Sequence, residues 1–262
     1  MEKYQTVVLI TGASRGIGKA LAEHLSTNGR QVVITGRDSS ALQLIESASD
    51  GSILAVSADA CDPDAVRASV NTVIDRFARI DVLINNAGVG AVGKRLWDCD
   101  IDDWWRVQTI NVRGPLSYMH AVIPQMIKQG AGTIINLGSY KAINPSPKAS
   151  CYAASKAAIA KITDSVAAEV KEFGINVYCL SPGLVKTAMT RKLPSVQDLP
   201  DSAWRPVEKI CDKAAALIDG SYRALSGRFL HVDDDLDILM TELDNIETNH
   251  LYQLSLTKLR QH

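Results

Sequence analysis

The chain has 262 residues, 46% of them hydrophobic, which suits one large domain with a sizeable buried core. Its formal charge of −1 and isoelectric point near 6.5 argue against a nucleic-acid partner, because such surfaces normally need clustered lysines and arginines. Five cysteines without a C-x-x-C pair disfavour a disulfide framework and a zinc site. With no signal-peptide core and no run long enough for a membrane span, we expect a cytoplasmic protein without a metal or a membrane partner.

Short apolar runs alternate with helical patterns along most of the chain. The runs are TVVLI, QVVITG, SILAVSA, IDVLINNAG, GTIINLGS, INVYCLSP and GRFLHV. Such alternation is typical of βαβ units on a parallel sheet. It predicts an α/β fold of the doubly wound Rossmann type, with about seven strands and helices on both faces, as a single domain over residues 1–232.

A glycine-rich turn follows the first predicted strand and precedes an alanine- and leucine-rich helix. It reads Thr11-Gly12-Ala13-Ser14-Arg15-Gly16-Ile17-Gly18. Glycines in such a turn let the backbone approach a pyrophosphate, whose charge is stabilised by the first amides of the helix. The spacing differs from G-x-G-x-x-G, and such turns also serve simple packing. The strand-to-helix context nevertheless favours a dinucleotide site.

Arg37, directly after the second predicted strand, bears on the choice of cofactor. An NAD-selective site would place an acidic residue there for the ribose 2′-hydroxyl, whereas the fork of an arginine suits a 2′-phosphate. Arg15 could approach the same phosphate from the glycine turn, so the pair predicts NADP(H). The alternative is that both arginines are solvated and that Asp38 binds the ribose.

Tyr152 and Lys156 lie four residues apart in an alanine-rich segment that predicts a helix, so both side chains emerge on one face. A nearby ammonium favours the phenolate form of a tyrosine, which could then exchange a proton with an alcohol or a carbonyl. The pair alone is weak evidence, because a tyrosine and a lysine at this spacing often form a half-exposed helix face.

Together with their surroundings, these residues make the chain resemble the short-chain dehydrogenase/reductase family. The resemblance extends over residues 5–190 and is carried by the glycine turn, Asn85-Asn86-Ala87-Gly88, Asn111 in TINVRG, Ser139, Tyr152-Ala153-Ala154-Ser155-Lys156 and Pro182-Gly183-Leu184-Val185-Lys186-Thr187. Two features depart from the family pattern. Gly138 stands where a second serine is common, and the chain lacks the V-D-G-G finish after the last strand.

The resemblance implies a catalytic role for four residues. Tyr152 would be the proton donor or acceptor, and Lys156 would bind the nicotinamide ribose and lower the pKa of Tyr152. Ser139 would hold the substrate oxygen. Asn111 would distort its helix and hold a water that links Lys156 to solvent. Ser155 is expected to contact the cofactor or the substrate.

The resemblance also implies a set of cofactor contacts. Asp59 and Ala60 would lie at the adenine, Asn86, Ala87 and Gly88 at the adenosine ribose, and Thr187 at the carboxamide. The full set is Gly12, Ser14, Arg15, Gly16, Ile17, Gly18, Arg37, Asp59, Ala60, Asn86, Ala87, Gly88, Tyr152, Lys156, Pro182, Gly183, Val185 and Thr187.

The expected function is that of an NADP(H)-dependent oxidoreductase that moves a hydride between the nicotinamide and a carbonyl or secondary alcohol, with ketone reduction as the expected direction. Two alternatives stay open: an epimerase or dehydratase of the same family with transient hydride transfer, and a non-catalytic NADP-binding regulator. The resemblance further implies a homodimer or homotetramer paired through the helix near residues 149–173 and the helix before it.

Two segments and the C-terminal tail would shape the pocket for a small-molecule substrate. These are Gly90–Asp98, a loop over residues 184–206 that its three prolines Pro194, Pro200 and Pro206 predict to be mobile, and the tail, residues 233–262. Trp97, Trp204 and Met189 indicate either an apolar pocket or packing on their own subunit.

The tail itself has an acidic start followed by apolar residues at spacings of three or four. These residues are Leu236, Leu239, Met240, Leu243 and Ile246. The pattern predicts an acidic-capped amphipathic helix whose apolar face covers this subunit or its neighbour. A calcium loop at Asp233, Asp235 and Asp237 is disfavoured, because Ile238 stands where such a loop needs glycine.

Overall fold

A parallel sheet lies at the centre of the computed structural model, which describes residues 6–192, 196 and 198–255. In that part of the chain the sheet has seven strands: β1 (Val7–Thr11), β2 (Gln31–Gly36), β3 (Ile53–Ser57), β4 (Val82–Asn85), β5 (Gly132–Leu137), β6 (Ile175–Ser181) and β7 (Phe229–His231). Their order is β3-β2-β1-β4-β5-β6-β7, and every neighbouring pair is parallel. The predicted fold class is therefore confirmed, and the strand order reverses between β1 and β4.

Helices cover both faces of the sheet, which is why the strands are continuous apolar runs. The helices are α1 (Gly16–Thr27), α2 (Ser39–Ser47), α3 (Pro63–Phe77), α4 (Ile101–Gln108), α5 (Gly114–Gln129), α6 (Ser150–Val170), α7 (Val207–Ile218), α8 (Leu236–Thr241) and α9 (Leu243–Thr248). One core cluster joins α1, α2, α7 and the tail helices to the sheet, and a second joins α3, α5 and α6 to its other face. Within the described residues, no helix combines the length and the hydropathy that crossing a bilayer would require.

Side-chain caps begin four of these helices at aspartates. Asp38, Asp62, Asp100 and Asp235 each accept hydrogen bonds from backbone amides in the first turn of α2, α3, α4 and α8. An aspartate at this position satisfies amides that have no partner within the helix. The acidic start of the tail is thus a helix cap at Asp235.

The tail forms two short helices, whereas the sequence predicted one. The helical hydrogen bonding stops at Glu242, and α9 begins directly after it. The apolar face nevertheless packs as a unit: Leu236, Leu239 and Ile246 are buried in the same cluster as α1 and α7. Of the two possibilities left open for this face, the structure shows that it covers its own subunit.

Beyond α9 the chain turns back along β7, the last strand of the sheet. The backbone N–H of Phe229 donates to the carbonyl of Tyr252 at 2.7 Å, and Arg228 Nη1 donates to the carbonyl of Leu251 at 3.2 Å. Leu254 packs against the cluster that contains Phe229. The tail thereby pairs a strand edge that would otherwise present free backbone groups.

Replacing Leu239 with Ala tests whether the tail belongs to the cooperative core. Leu239 is 7% exposed, so Leu239→Ala should leave a cavity and lower the free energy of unfolding by about 2–5 kcal/mol. The adjacent Ile238 is 59% exposed, and Ile238→Ala should change stability by no more than about 0.5 kcal/mol. Urea unfolding of both variants provides the measurement. Equal midpoints for the two variants and the wild type would show that the tail folds independently of the core.

Candidate active site

The residues predicted to form the site come together at the carboxyl edge of the sheet. The glycine turn follows β1, Asn86–Gly88 follow β4, Ser139 follows β5 and Pro182–Thr187 follow β6. In an open parallel sheet, the crevice for a ligand lies at this edge, where the strand order reverses. The fold thus brings segments that are far apart in the chain to one surface.

Hydrogen bonds fasten the turn after β1 to the turn after β4. Thr11 Oγ1 accepts from the backbone N–H of Asn86 at 3.1 Å and of Ala87 at 3.0 Å. Asn86 Nδ2 in turn donates to the carbonyls of Thr11 at 2.8 Å and Gly12 at 2.9 Å. A Cβ on Gly12 would lie 2.6 Å from Ala87 Cα, so only glycine permits this approach. The side-chain amide of Asn86 is committed to holding the glycine turn.

The N-terminus of α1 fits the phosphates of a dinucleotide. Its cap residue is Arg15, which makes no side-chain capping bond, and the first turn contains no acidic residue. By contrast, α2, α3 and α4 are capped by aspartates. The first amides of α1 therefore meet no carboxylate and suit an anionic ligand.

Arg37 stands exposed after β2 and makes no hydrogen bond or ion pair with another described residue. The neighbouring Asp38 accepts from the backbone N–H of Ala41 at 3.1 Å, and Asp59 accepts from that of Cys61 at 2.9 Å. Burial and Asp59 raise the pKa of the Cys61 thiol, while the charge of Arg37 opposes them. Arg37 thus lies beside the turn after β3 with its guanidinium uncommitted.

Tyr152 and Lys156 lie on α6 next to Ser139. Burial raises the pKa of Tyr152, and a hydrogen bond with the Ser139 side chain partly offsets this. Lys156 Nζ lies 5.7 Å from the centroid of the Tyr152 ring and donates to the carbonyl of Leu137 at 2.7 Å. Burial lowers the pKa of Lys156 to about 8. Burial therefore favours the neutral form of both groups, which is opposite to the lowered pKa that was expected for Tyr152.

Asn111 lies in a π-helical turn, Thr109–Arg113, between α4 and α5. Its side chain accepts from the backbone N–H of Val89 at 2.8 Å and donates to the carbonyl of Val89 and to Ser155 Oγ, both at 3.0 Å. Ser155 is 0% exposed and donates to the carbonyl of Tyr152 at 2.7 Å. The expectation that Ser155 contacts the cofactor or the substrate is therefore wrong; it ties Asn111 to α6.

The presence of glycine at position 138, where similar sequences often have a serine, has a steric explanation. A Cβ at this position would lie 2.7 Å from Cys179 Sγ and 3.1 Å from Phe229 Cε2. Both neighbours are buried in one small cluster with Ile159. The second serine that is common in similar sequences would not fit here without displacing them.

The segment after β6 lies across the glycine turn. Thr187 Cγ2 is 3.7 Å from the position that a Cβ on Gly16 would take, and the backbone N–H of Thr187 donates to Thr190 Oγ1 at 2.8 Å. Val185 is buried and forms an isolated bridge with Arg205. Residues 193–195 and 197, which include Pro194, lie outside the described residues, and the mobility of the loop stays a prediction.

A cavity of about 380 Å³ opens beside Ser139. Its walls include Tyr140, Gly183, Arg205 and His231, whereas neither Trp97 nor Trp204 lines it. Sequence reasoning missed Arg205 and His231 because they lie outside the family motifs. One signal was available: GRFLHV predicts a strand that ends at His231, at the edge of the sheet where ligands bind.

Comparison with known proteins gives matches over most of the chain. A family model described as short chain dehydrogenase matches residues 6–198. The 3-oxoacyl-[acyl-carrier-protein] reductase of Synechocystis sp. is 36% identical over 231 residues, which cover 82% of this chain and 92% of that protein.

Solved structures match the fold. The 3-ketoacyl-(acyl-carrier-protein) reductase of Brucella melitensis complexed with NADH has a TM-score of 0.82 and 27% identity, covering 88% of this chain and 98% of that one. Gluconate 5-dehydrogenase of Burkholderia cenocepacia in complex with NADP and tartrate has a TM-score of 0.81 and 30% identity, covering 89% and 95%. Since one neighbour holds NADH and the other NADP, the choice between the two depends on this chain's own residues.

Gly138→Ser should reveal the close packing at the end of β5. The added side chain would overpack the Cys179 and Phe229 contacts and lower the free energy of unfolding by about 1–3 kcal/mol. In a Cys179→Ala background, which removes the sulfur, the same substitution should cost less, with a coupling of about 0.5 kcal/mol or more. Urea unfolding of both single variants and the double variant measures this coupling, and strictly additive effects would contradict the assigned contact.

Proposed function

The chain belongs to the short-chain dehydrogenase/reductase family, and from this premise we propose that it is an NADP(H)-dependent oxidoreductase that reduces a ketone. The observation that carries the proposal is the arrangement at Ser139: the half-buried Tyr152 lies beside a serine that lines a cavity, with the buried Lys156 5.7 Å from the centre of the tyrosine ring. This arrangement supports proton donation to an oxygen held in the cavity.

Each of the three side chains has a distinct task in such a reaction. A nicotinamide cofactor, when bound, supplies the hydride for the carbonyl carbon. The hydroxyl of Ser139 holds the carbonyl oxygen, and Tyr152 donates its phenolic proton to that oxygen. The charge of Lys156 stabilises the phenolate that Tyr152 becomes. Burial raises the pKa of Tyr152, so the phenol carries the proton that reduction of a ketone requires.

Lys156 also has donors to spare for the cofactor. An ammonium has three N–H groups, and among the described residues the carbonyl of Leu137 is its one hydrogen-bond acceptor. The remaining donors suit the hydroxyls of the nicotinamide ribose. The uncapped start of α1 would hold the phosphates, and Thr187, which lies across the glycine turn, would hold the carboxamide end.

Arg37 supports NADP(H) as the cofactor. Its guanidinium has no described partner, while the carboxylates of Asp38 and Asp59 are engaged by backbone amides. A free guanidinium at the end of the second strand matches a 2′-phosphate, and Arg15 stands at the start of α1 nearby.

Assembly and location follow as part of the same proposal. Large apolar side chains are exposed on α5, the helix before α6, namely Leu116 and Ile127, and small residues Ala154, Ala157 and Ala158 line part of α6. We expect these faces to pair in a homodimer or homotetramer. All five cysteines are free thiols, which suits a reducing, cytoplasmic setting.

Tyr152→Phe tests the proposed reaction. A screen of ketones that follows loss of NADPH absorbance should first identify a turned-over substrate. The variant lacks the proton donor but keeps the ring, so kcat should fall on the order of 10²-fold or more while the Kd for NADPH changes little. Tyr222→Phe, which removes a hydroxyl that bonds to Asp237 outside the site, should behave as wild type. Turnover by Tyr152→Phe that is comparable to that of the wild type would refute the assignment of Tyr152 as the proton donor. The absence of any net change in nicotinamide absorbance would favour the epimerase or dehydratase alternative.

Arg37 variants test the cofactor. Loss of one charge-assisted bond to the 2′-phosphate should weaken NADPH binding by about 10- to 100-fold in Arg37→Ala and leave NADH binding nearly unchanged. Arg37→Asp should reverse the preference, because its carboxylate repels the phosphate and accepts the ribose hydroxyl. Arg76→Ala, an exposed arginine in the last turn of α3, is the matched control. The Kd values come from fluorescence titration at fixed ionic strength. A wild-type preference for NADH would overturn the NADP(H) assignment in favour of Asp38 as the ribose ligand.

A further inference from the structure

Charged side chains line the cavity beside Ser139. Arg205 and Lys141 line it, and so does Asp233. Asp233 accepts hydrogen bonds from Arg205 Nε at 2.6 Å and from Lys209 Nζ at 2.8 Å. Two cations thus meet one carboxylate, and both of its oxygens are engaged. Among the residues that line the cavity, Arg205 and Lys141 are cationic and Asp233 is anionic, and the carboxylate of Asp234 accepts from the backbone N–H of His231 beside them.

Arg205 is held in place with donors left over. Besides the bond from Nε to Asp233, its Nη1 donates to the carbonyl of Ser202 at 3.0 Å. A guanidinium has five N–H groups, so these two bonds leave three, and Nη2 has no partner among the described residues. An arginine that is already oriented loses less conformational entropy when it binds an anion.

His231 presents a second donor next to Arg205. Its Nδ1 accepts from the backbone N–H of Asp233 at 3.2 Å, which assigns the ring proton to Nε2. The ring of Tyr140 stacks on His231 at a centroid distance of 4.3 Å and 13° between planes. Nε2 has no hydrogen-bond partner among the described residues.

Gly183 brings the two donors together. A Cβ at this position would lie 3.0 Å from Arg205 Cγ and 3.3 Å from His231 Nε2, and the residue has a φ of +67°. Both side chains therefore flank the same stretch of backbone after β6. Arginine and an imidazole N–H side by side match the two oxygens of a carboxylate.

We propose that Arg205 and His231 form a carboxylate subsite, and that the substrate is a small ketone that carries a carboxylate group. The inference rests on the proposed ketone reduction at Ser139 and Tyr152. One end of the substrate, the ketone, lies at Ser139, and the carboxylate lies across the cavity at Arg205. A cavity of about 380 Å³ suits a molecule of this kind. His231 and Arg205 are then specificity-determining residues, and Tyr140 is a positioning residue for His231.

The test compares keto acids with their methyl esters, which keep the ketone and lose the charge. Pyruvate, acetoacetate and levulinate vary the distance between the two groups. For at least one of them, the wild type should show a higher kcat/KM for the acid than for its ester. Arg205→Gln should lower kcat/KM for that acid about tenfold or more and leave the ester nearly unchanged. His231→Phe keeps a ring that can stack on Tyr140. It should lower kcat/KM for the acid by a smaller factor than Arg205→Gln does, and it should leave kcat/KM for the ester unchanged.

Turnover of the ester reports how much of each variant is folded, so the ratio of acid to ester does not depend on stability. Lys128→Gln, which removes an exposed charge in the last turn of α5, serves as the control and should keep the wild-type ratio. If the wild type prefers the ester at every spacing, or if Arg205→Gln lowers acid and ester equally, the carboxylate subsite is refuted.

A failure of the proposed function would look different, because then no acid or ester would be reduced by either nicotinamide cofactor. In that case calorimetric titration of wild type and Arg205→Gln with the same three acids still decides the subsite. Weaker binding to the variant alone supports it, and equal or absent binding to both proteins overturns it.

Discussion

Hydrogen bonds that Asn86 and Ala87 donate to Thr11 and Gly12 join the two halves of the sheet where the strand order reverses, and the remainder of the site depends on this junction. They work only because Gly12 leaves room for the backbone of Ala87. With the turn after β1 held against the turn after β4, the start of α1 is fixed above the crevice. The amides that would meet a phosphate are therefore positioned by the protein before any ligand arrives.

A second set of contacts fixes the position of Tyr152 and Lys156 relative to the glycine turn. Asn111 binds both backbone groups of Val89 after β4 and also Ser155 on α6. A change in the position of α6 would have to break these buried bonds, so Tyr152 and Lys156 keep their place relative to the glycine turn. Burial then sets the protonation of both groups in opposite directions, raising the pKa of the phenol and lowering that of the ammonium.

The sequence predicted the features that depend on local pattern. Apolar runs located the strands, and the spacing of Tyr152 and Lys156 placed both on one face of α6. Spacing did not show that the tail is interrupted at Glu242, because residues three or four apart share a face in one helix or in two. It also did not show the burial of Ser155, which depends on Asn111 approaching from a distant segment.

Charge alone, considered without burial, also gave an incomplete prediction of the pKa of Tyr152. The ammonium of Lys156 predicted a lowered pKa for Tyr152, whereas in the folded chain burial raises it. Arg205 and His231 were missed because they are far apart in the sequence and are brought together by contacts with Gly183 and Asp233 in the folded chain. Contacts of this kind become visible only when the sheet is assembled.

The segment after α9 runs back along β7, so residues near the end of the described part of the chain support a wall of the cavity. Tyr252 pairs with Phe229, and the ring of Phe229 lies 6.0 Å from that of Tyr140. During synthesis, a nascent chain of residues 1–228 already contains the glycine turn, Tyr152 and Lys156. It does not yet contain His231 or the tail segment around Tyr252. Since chains are made from the N-terminus, the wall of the cavity opposite Ser139 is completed last. Loss of the tail would therefore uncover apolar side chains of α1 and α7 together with the support of the cavity wall, so the C-terminal segment joins the two ends of the chain in one folded unit.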